Sequence, residues 1–335
     1  MTQHRIWALS LVAVVVLAVL PEFFGEHHMH IFIQILLFAY LTYCWNILGG
    51  FAGQLSFGHA LFMAVGAYTS TLLLLHAGVS PWIGMLVGGA LSAALGLFIG
   101  YLSFRYGIKG TYFALVTLAF TEIGRIVALN TPAIGGALGL YIPIQTSDFW
   151  QLKFVEKSHY YYVALAFLAL VLAVTAWLER SPIGHRLVAI RENEDAAQAL
   201  GVNLLRYKLL ATALSAFLTA LGGTLYAHYV TFIDPHTSLN MNMALEITIY
   251  SIVGGVGTMW GPLFGSIFLV PLAELVRAAL GQSYAGVHLV VYGAVLIAVI
   301  LFAPDGLMGL LRSMRGWRRE PALDGGATHP KKDAA

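Results

Sequence analysis

Polar side chains that could contact a small solute cluster in one glycine-rich stretch of a very apolar chain. This first glycine segment, ILGGFAGQLSFGH, runs from Ile47 to His59 and places Gln54 and Ser56 among its glycines. Amide, hydroxyl and imidazole groups, together with exposed backbone groups, could bind the ammonium and carboxylate of a zwitterion. Hydrogen bonding between packed membrane helices is the competing use of the same side chains.

A second glycine segment, IVGGVGTMWGPLFG, runs from Ile252 to Gly265. Each segment places a Gly-Gly pair after an apolar stretch and then continues into a new one, which is typical of a diverged internal repeat. Glycines at membrane depth let helices pack closely. They also break helices so that backbone groups line a cavity, as at the binding sites of transporters. Both uses stay open from the sequence.

Ionisable residues inside apolar stretches are functional candidates, because charge is costly in a membrane. Glu246 opens the stretch before the second glycine segment, where it lies either at the external interface or on a substrate pathway. Glu122 and Arg125 are three residues apart on one predicted helix, and we expect them to neutralise each other rather than bind substrate. The predicted substrate pathway comprises Gly53, Gln54, Ser56, Gly58, His59, Glu246, Gly254 and Gly255.

Several chemistries are disfavoured by spacing or order. Ser56 and His59 lack the G-x-S-x-G setting of a hydrolase nucleophile. The polar turn from Glu26 to His30 lacks the spacing of a zinc site, and the single cysteine, Cys44, allows no disulfide framework. No G-x-x-x-x-G-K-[ST] phosphate loop occurs in the sequence. We therefore expect no catalytic residue, metal or cofactor in this chain. Active transport would draw its energy from a partner or an ion gradient.

The elements that position these residues are predicted to be membrane helices. Of 335 residues, 59% are hydrophobic and only 10% are charged, which is too little charge for the surface of a soluble domain. We predict an all-α polytopic membrane protein with about ten transmembrane or re-entrant helices. The membrane domain covers 1–319, and a disordered tail covers 320–335. The predicted spans are Ile6–Phe24, Ile31–Leu48, Gln54–Leu75, Trp82–Phe104, Thr111–Leu129, Tyr160–Leu178, Tyr207–Tyr229, Met243–Gly257, Pro262–Leu280 and Val287–Phe302.

The distribution of basic residues predicts the orientation of the chain. An even number of spans puts both termini on one side, together with Arg5, Arg105 and Lys109. The other side carries Lys153 and Lys157 in its longest loop. The positive-inside rule then places both termini in the cytoplasm of a bacterial cell, with the protein in its inner membrane. The basic residues near the C-terminus suit anchoring at the cytoplasmic surface of the membrane lipid better than nucleic acid binding; they are Arg312, Arg315, Arg318, Arg319, Lys331 and Lys332.

A charged segment between two apolar stretches, Glu179–Lys208, is here called the island and is expected on the cytoplasmic side. Ser181 and Pro182 are a capping hydroxyl and a first-position proline, which predict a helix start. Asn193 can cap a second short helix, which Gly201 would end. Two capped helices exceed what a solvated connector needs, so we interpret the island as a two-helix docking element.

The composition of the two island helices supports this interpretation. Ile183, Leu187 and Ile190 form one apolar stripe on the first helix. Glu194 and Asp195 lie in the first turn of the second helix, where carboxylates favour the positive end of the dipole.

The island resembles the cytoplasmic coupling loop of ABC-importer permeases. Its run from Asp195 to Gly201, DAAQALG, matches the family pattern Glu-Ala-Ala-x-x-x-Gly with Asp in place of Glu, and it lacks the Ile-x-Leu-Pro that often follows. From about the second span to the last, the chain is similar to the LivM-type permeases of branched-chain amino acid importers. It departs from them at Ile134–Leu140, where the family usually has Thr and Asn. The similar pieces are Gly49–Tyr68, Gly110–Arg125, Ala189–Ala211, Gly222–Pro235, Glu246–Gly265 and Pro304–Leu310.

The resemblance implies a subunit that translocates branched-chain amino acids while separate ATPase subunits bind and hydrolyse ATP. An ATPase groove would accept the helix after Asn193, with Ala196 and Ala197 permitting close approach. A second homologous permease and an external amino-acid-binding protein complete the expected partners. The expected coupling residues are Arg191, Glu192, Asn193, Glu194, Asp195, Ala196, Ala197 and Gly201.

Other functions stay open. Permeases for urea or short amides share similar glycine-rich motifs, so the substrate stays open. A secondary transporter driven by H⁺ or Na⁺ would work as a single polypeptide with acidic residues in its pathway. A membrane scaffold without transport is disfavoured by the paired glycine segments.

Overall fold

The computed structural model describes residues 26–143 and 147–280, and the positions 290, 293–294, 297, 301 and 306–309. The first predicted span, most of the last one and the predicted tail lie outside these residues.

The described chain is mostly helical. One two-stranded antiparallel sheet joins β1 (Leu140–Tyr141) to β2 (Phe232–Ile233), with Leu140 opposite Ile233. The helices are α1 (Glu26–Asn46), α2 (His59–Ala77), α3 (Pro81–Arg105), α4 (Thr111–Leu129), α5 (Lys157–Arg180), α6 (Pro182–Glu192), α7 (Glu194–Ala199), α8 (Leu204–Val230), α9 (Pro235–Ser238), α10 (Met241–Gly254) and α11 (Gly261–Leu280).

Six helices of the described chain are long and apolar enough to cross a membrane. They are α2, α3, α4, α5, α8 and the stretch His28–Phe51, in which α1 continues through a π-helical turn over Ile47–Phe51. Each of them overlaps a predicted span, and α4 has the predicted bounds. The predicted total of about ten is not confirmed by these six.

Two predicted helix bounds are wrong at the glycine segments. The predicted span from Gln54 begins instead at His59, because 52–58 are not helical. The helix predicted to reach Gly257 ends at Gly254. The non-helical residues at both places still include apolar side chains such as Leu55 and Val256, so hydropathy alone does not register the break.

The helices define two sides of the molecule. The α8 helix runs from Leu204, beside the island, to Val230, beside the sheet. We call these the island side and the loop side, since the long connection from Asn130 to Glu156 lies with the sheet.

The second glycine segment turns the chain back on itself. Gly254 packs on the carbonyl of Gly261, and Gly265 packs on that of Tyr250, so α10 and α11 form an antiparallel hairpin. With 14 residues, α10 is about 21 Å long, which is shorter than the hydrocarbon core of a bilayer. By its length, α10 alone is therefore too short to cross that core.

Small residues let α2, α3 and α8 pack with their backbones close together. A Cβ added at Gly66 would collide with the backbone of Ala220, and one added at Gly223 would collide with the carbonyl of Met63. Thr224 Oγ1 of α8 donates to the Gly66 carbonyl at 3.2 Å. This is the small-residue packing expected of membrane helices.

Gly66→Ala is expected to lower the free energy of unfolding by about 1–3 kcal/mol, because backbone atoms cannot move aside as side chains can. The measurement is the thermal denaturation midpoint of the detergent-solubilised protein. Gly100→Ala on α3 is the matched control, since its new Cβ would meet only side-chain atoms of Leu209 and Phe104, at 3.1 and 3.3 Å. Equal losses in the two variants would contradict the backbone contact as the cause.

Candidate coupling site at the island

The island folds as the two capped helices that its sequence predicts. Ser181 Oγ accepts a hydrogen bond from the Gly184 amide, and Asn193 Oδ1 accepts one from the Ala196 amide, both at 3.0 Å. Gly201 has a φ of +86°. Its amide donates to the Gln198 carbonyl at 2.9 Å and the next amide donates to the Ala197 carbonyl at 3.0 Å, which is a Schellman ending.

The apolar stripe of α6 lies against the membrane domain and does not face a partner. Leu187 and Ile190 are buried, and Ile183 packs on the same core. The docking role predicted for this stripe is therefore not available on α6. Its burial anchors the island to the membrane helices instead.

The short helix α7 exposes most of its residues to solvent. Asp195 and Ala196 are exposed, and Leu200, just past the helix end, is 84% exposed. Ala197 is 2% exposed and faces the chain's own core, so of the two alanines expected to face a partner only Ala196 does. An exposed apolar residue beside a small one suits contact with another protein.

Arg191 points into the membrane domain and touches the first glycine segment. Its Nη1 donates to the Gly50 carbonyl at 2.8 Å, while Nη2 pairs with Glu192 at 2.7 Å. Gly53 has a φ of +68°, and a Cβ there would lie 2.8 Å from Arg191 Cγ. A Cβ at Gly257 would collide with Arg191 Nη1. Both glycine segments thus make room for one arginine side chain, Gly53 beside its stem and Gly257 beside its guanidinium.

Glu194, the first residue of α7, joins the island to two membrane elements. Its Oε1 accepts from Lys208 Nζ of α8 at 2.6 Å and from Gln54 Nε2 of the first glycine segment at 3.3 Å. The side chains of Lys208 and Glu194 are 5% and 20% exposed. A charge buried to this degree depends on its partner for stability.

A cavity of about 480 Å³ adjoins this ion pair on the island side. Its walls come from the end of α3, from α7 and from the start of α8, and include Arg105, Lys109, Glu194, Asp195 and Lys208.

The non-helical part of the first glycine segment is held by side chains of α1 and α4. Thr117 Oγ1 accepts from the Phe57 amide at 3.0 Å, and Thr121 Oγ1 donates to the Phe57 carbonyl at 3.3 Å. Trp45 Nε1 donates to the Ser56 carbonyl at 2.8 Å. Backbone groups outside a helix need such partners in a membrane.

The predicted pathway residues Ser56, Gly58 and His59 take part in packing between helices. Ser56 Oγ accepts from the Gly58 amide at 3.2 Å, and His59 Nε2 lies 2.8 Å from Ser215 Oγ of α8. Ser56 and His59 are fully buried. His59 thus takes part in an interhelical hydrogen bond and Ser56 in a local one, and a substrate role for these residues stays a prediction.

Glu246 lies far from this group, on the loop side. It is 7% exposed and lines a cavity of about 240 Å³. Gly254 and Gly255 sit at the turn of the α10–α11 hairpin, where a Cβ on Gly306 would lie 2.7 Å from Gly255 Cα. The structure thus separates the predicted pathway residues into three places. The loop-side cavity beside Glu246 is lined by Gln34, Leu37, Phe38, Tyr226, Tyr229, Val230, Thr237, Asn240, Asn242, Met243 and Glu246.

Several residues of the site were not predicted from the sequence. Lys208 is not among the predicted coupling residues, and Asn46, which accepts from the Gly257 amide at 2.8 Å, is not among the predicted pathway residues. Thr117 and Thr121 carried a usable signal, because they are two hydroxyls four apart on one face of an apolar helix.

The sequence matches the family described as branched-chain amino acid transport system / permease component, over residues 29–300. The chain belongs to this family. Among its relatives is the high-affinity branched-chain amino acid transport system permease protein LivM of Escherichia coli (strain K12), 31% identical over 91% of this chain and 75% of that protein. The LivM of Salmonella typhimurium is 31% identical over 80% of this chain and 66% of its own length.

Another relative of this permease carries a different name. The autoinducer 2 import system permease protein LsrC of Klebsiella pneumoniae is 28% identical over 64% of this chain and 68% of its own length. No solved structure matches the chain. The multi-pass membrane fold agrees with the family.

Removing the lysine of the buried ion pair is expected to loosen α7. Lys208→Met leaves Glu194 without its cation, so amide hydrogen exchange over 194–202 should quicken. Glu194→Gln in the same chain removes the unpaired charge, and the double variant should recover about 0.5–3 kcal/mol relative to additive losses. Additive losses from the two changes would show that the pair does not hold α7 in place.

Proposed function

We propose that this chain is a permease subunit of an ABC importer that carries branched-chain amino acids across the bacterial inner membrane. Separate ATPase subunits dock on α7, a second homologous permease completes the pathway, and an external binding protein delivers substrate to the loop side. The observation that carries the proposal is the link between an exposed helix and the membrane domain. The helix α7 is accessible to a partner, and Glu194 at its start accepts a hydrogen bond from Gln54 of the first glycine segment at 3.3 Å. The names of the LivM relatives support the substrate class.

The contacts suggest how motion at α7 reaches the membrane helices. A push on α7 displaces Glu194, and with it Gln54 and Lys208. Three residues beyond Gln54, both backbone groups of Phe57 are bonded to α4. A path of hydrogen bonds, joined by the backbone from Gln54 to Phe57, therefore runs from the partner-facing helix to a membrane-crossing helix.

The charge distribution supports a cytoplasmic island. Arg105, Lys109 and Arg206 lie on the island side in addition to the paired Arg191 and Lys208. The positive-inside rule assigns the more basic side to the cytoplasm, where ATP and its ATPases are found.

Reconstitution tests the proposal. The chain is placed in liposomes with its companion permease and binding protein, with and without the ATPase subunits, and uptake of labelled leucine, urea and acetamide is compared. We expect leucine uptake that requires both ATP and the ATPases. Uptake by the chain alone under an H⁺ or Na⁺ gradient would refute the importer assignment, and uptake of urea in place of leucine would refute the substrate.

Charge reversal on the exposed face of α7 is expected to weaken ATPase docking. Asp195→Lys changes a side chain at the partner surface, so co-purification of the ATPase should fall about 10-fold or more, as for loss of a few kcal/mol at an interface centre. Glu156→Lys is the matched control, because Glu156 is exposed at the opposite side. Equal retention of the ATPase by both variants would place the docking surface elsewhere.

Gln54→Met is expected to separate docking from transport. Methionine fills the same volume but cannot donate to Glu194, so the ATPase should still bind and hydrolyse ATP while leucine uptake falls. The readouts are ATPase retention, ATP hydrolysis and uptake in the same liposomes. Parallel loss of all three would indicate a folding defect, and unchanged uptake would show that coupling does not pass through Gln54.

A further inference from the structure

One membrane-crossing helix exposes charge at a depth where the others expose aliphatic side chains. Of the six such helices in the described chain, α4 is the least buried, with 28% of its most apolar window inside the protein. Its outward residues Tyr112, Leu115, Ala119 and Ile126 form one stripe with helical spacing. Glu122 lies on the same stripe.

Glu122 and Arg125 form a two-pronged ion pair on this stripe. Arg125 Nε lies 2.9 Å from Glu122 Oε2, and Nη2 lies 2.5 Å from Oε1. The side chains are 51% exposed for Glu122 and 26% for Arg125. At 1.5 Å per residue, Glu122 lies about 16 Å along a helix of about 28 Å, well inside the membrane-crossing stretch.

Exposure of this ion pair to lipid would be energetically costly. Ionisable residues inside membrane-spanning segments almost always face a bundle interior or a water-filled cavity. The outward face of α5 shows what a lipid-facing surface of this chain looks like, since at mid-helix it carries Ala166, Ala169 and Leu170.

The opposite face of α4 is the one fixed to the first glycine segment. Thr117 and Thr121 hold the backbone of Phe57 there, at 3.0 and 3.3 Å. Movement of that segment therefore moves the helix that carries the exposed ion pair.

We propose that the exposed stripe of α4 lines the water-filled translocation pathway, and that Glu122 and Arg125 contact the charged ends of a zwitterionic amino acid. Arg125 takes the carboxylate in its guanidinium fork, and Glu122 accepts from the ammonium. The pair is neutral overall, as the substrate is, so substrate groups replace the intramolecular partners without a change of net charge. Ile126 and Leu115 on the same stripe offer apolar surface to an aliphatic side chain.

The inference rests on the proposed importer function, and thiol accessibility tests it in the assembled complex. Cys44, the single cysteine, is buried and is first replaced by alanine. Ala119→Cys on the α4 stripe is compared with Ala169→Cys on α5, which is the same change on an exposed mid-helix alanine. A charged, membrane-impermeant thiol reagent should modify A119C roughly ten times faster than A169C, because only thiols in contact with water ionise readily. Saturating leucine should slow the reaction of A119C.

Two outcomes would overturn the inference while leaving the importer function intact. If A119C reacts only with a lipid-soluble maleimide, as expected for A169C, the stripe faces lipid. If A119C reacts with neither reagent, the stripe is a dry contact with another subunit. In both cases the unsubstituted complex still shows ATP-dependent leucine uptake. Loss of that uptake in the unsubstituted complex would instead refute the proposed function.

Substrate analogues test the roles of the two side chains. Arg125→Lys keeps the charge but loses the fork, and Arg125→Met loses both, so the KM for leucine should rise about 10- to 100-fold in the methionine variant and less in the lysine variant. The KM for leucine amide, which has no carboxylate, should change little in either. Equal changes for leucine and its amide would assign Arg125 a structural role.

Discussion

A membrane interior offers no water to the backbone groups that a broken helix releases, and this constraint governs the first glycine segment. Between α1 and α2 the chain leaves the helix and must satisfy its amides and carbonyls with protein groups. Trp45 and the two threonines of α4 supply them at Ser56 and Phe57. The break therefore cannot shift along the membrane unless α4 and α1 shift with it.

The same constraint acts on charge at the island side. Lys208 lies on a membrane-crossing helix with its side chain almost fully covered, so it requires an anion within reach. Glu194 provides it from the first turn of α7, and Asn193 and Gly201 fix where that helix begins and ends. A helix of one and a half turns, closed at both ends and tied down at its start, moves as a rigid body rather than unfolding. This suits a helix that transmits the motion of a partner.

Local sequence patterns predicted the two island helices, but they do not specify contacts between residues far apart in the sequence. Ser181, Asn193 and Gly201 act through hydrogen bonds that close within a few residues, so their types and spacing suffice. The stripe of α6 was predicted with the right period but the wrong neighbour, because an apolar face looks the same whether it packs on its own domain or on a partner. The bond from Arg191 to Gly50 joins residues 141 apart, and no local pattern specifies it.

Glycine serves both close packing and helix breaks in the described chain, at different positions. Gly66 and Gly223 serve close packing in the bundle, whereas Gly53 and Gly257 have positive φ values where the chain turns beside Arg191. A side chain at Gly53 would meet the aliphatic stem of Arg191, and one at Gly257 would meet its guanidinium. The breaks of both glycine segments therefore converge on one side chain of the island. A shift of α6 would therefore displace the contacts of Arg191 with both breaks, which are also joined directly by the bond from the Gly257 amide to Asn46 Oδ1 at 2.8 Å.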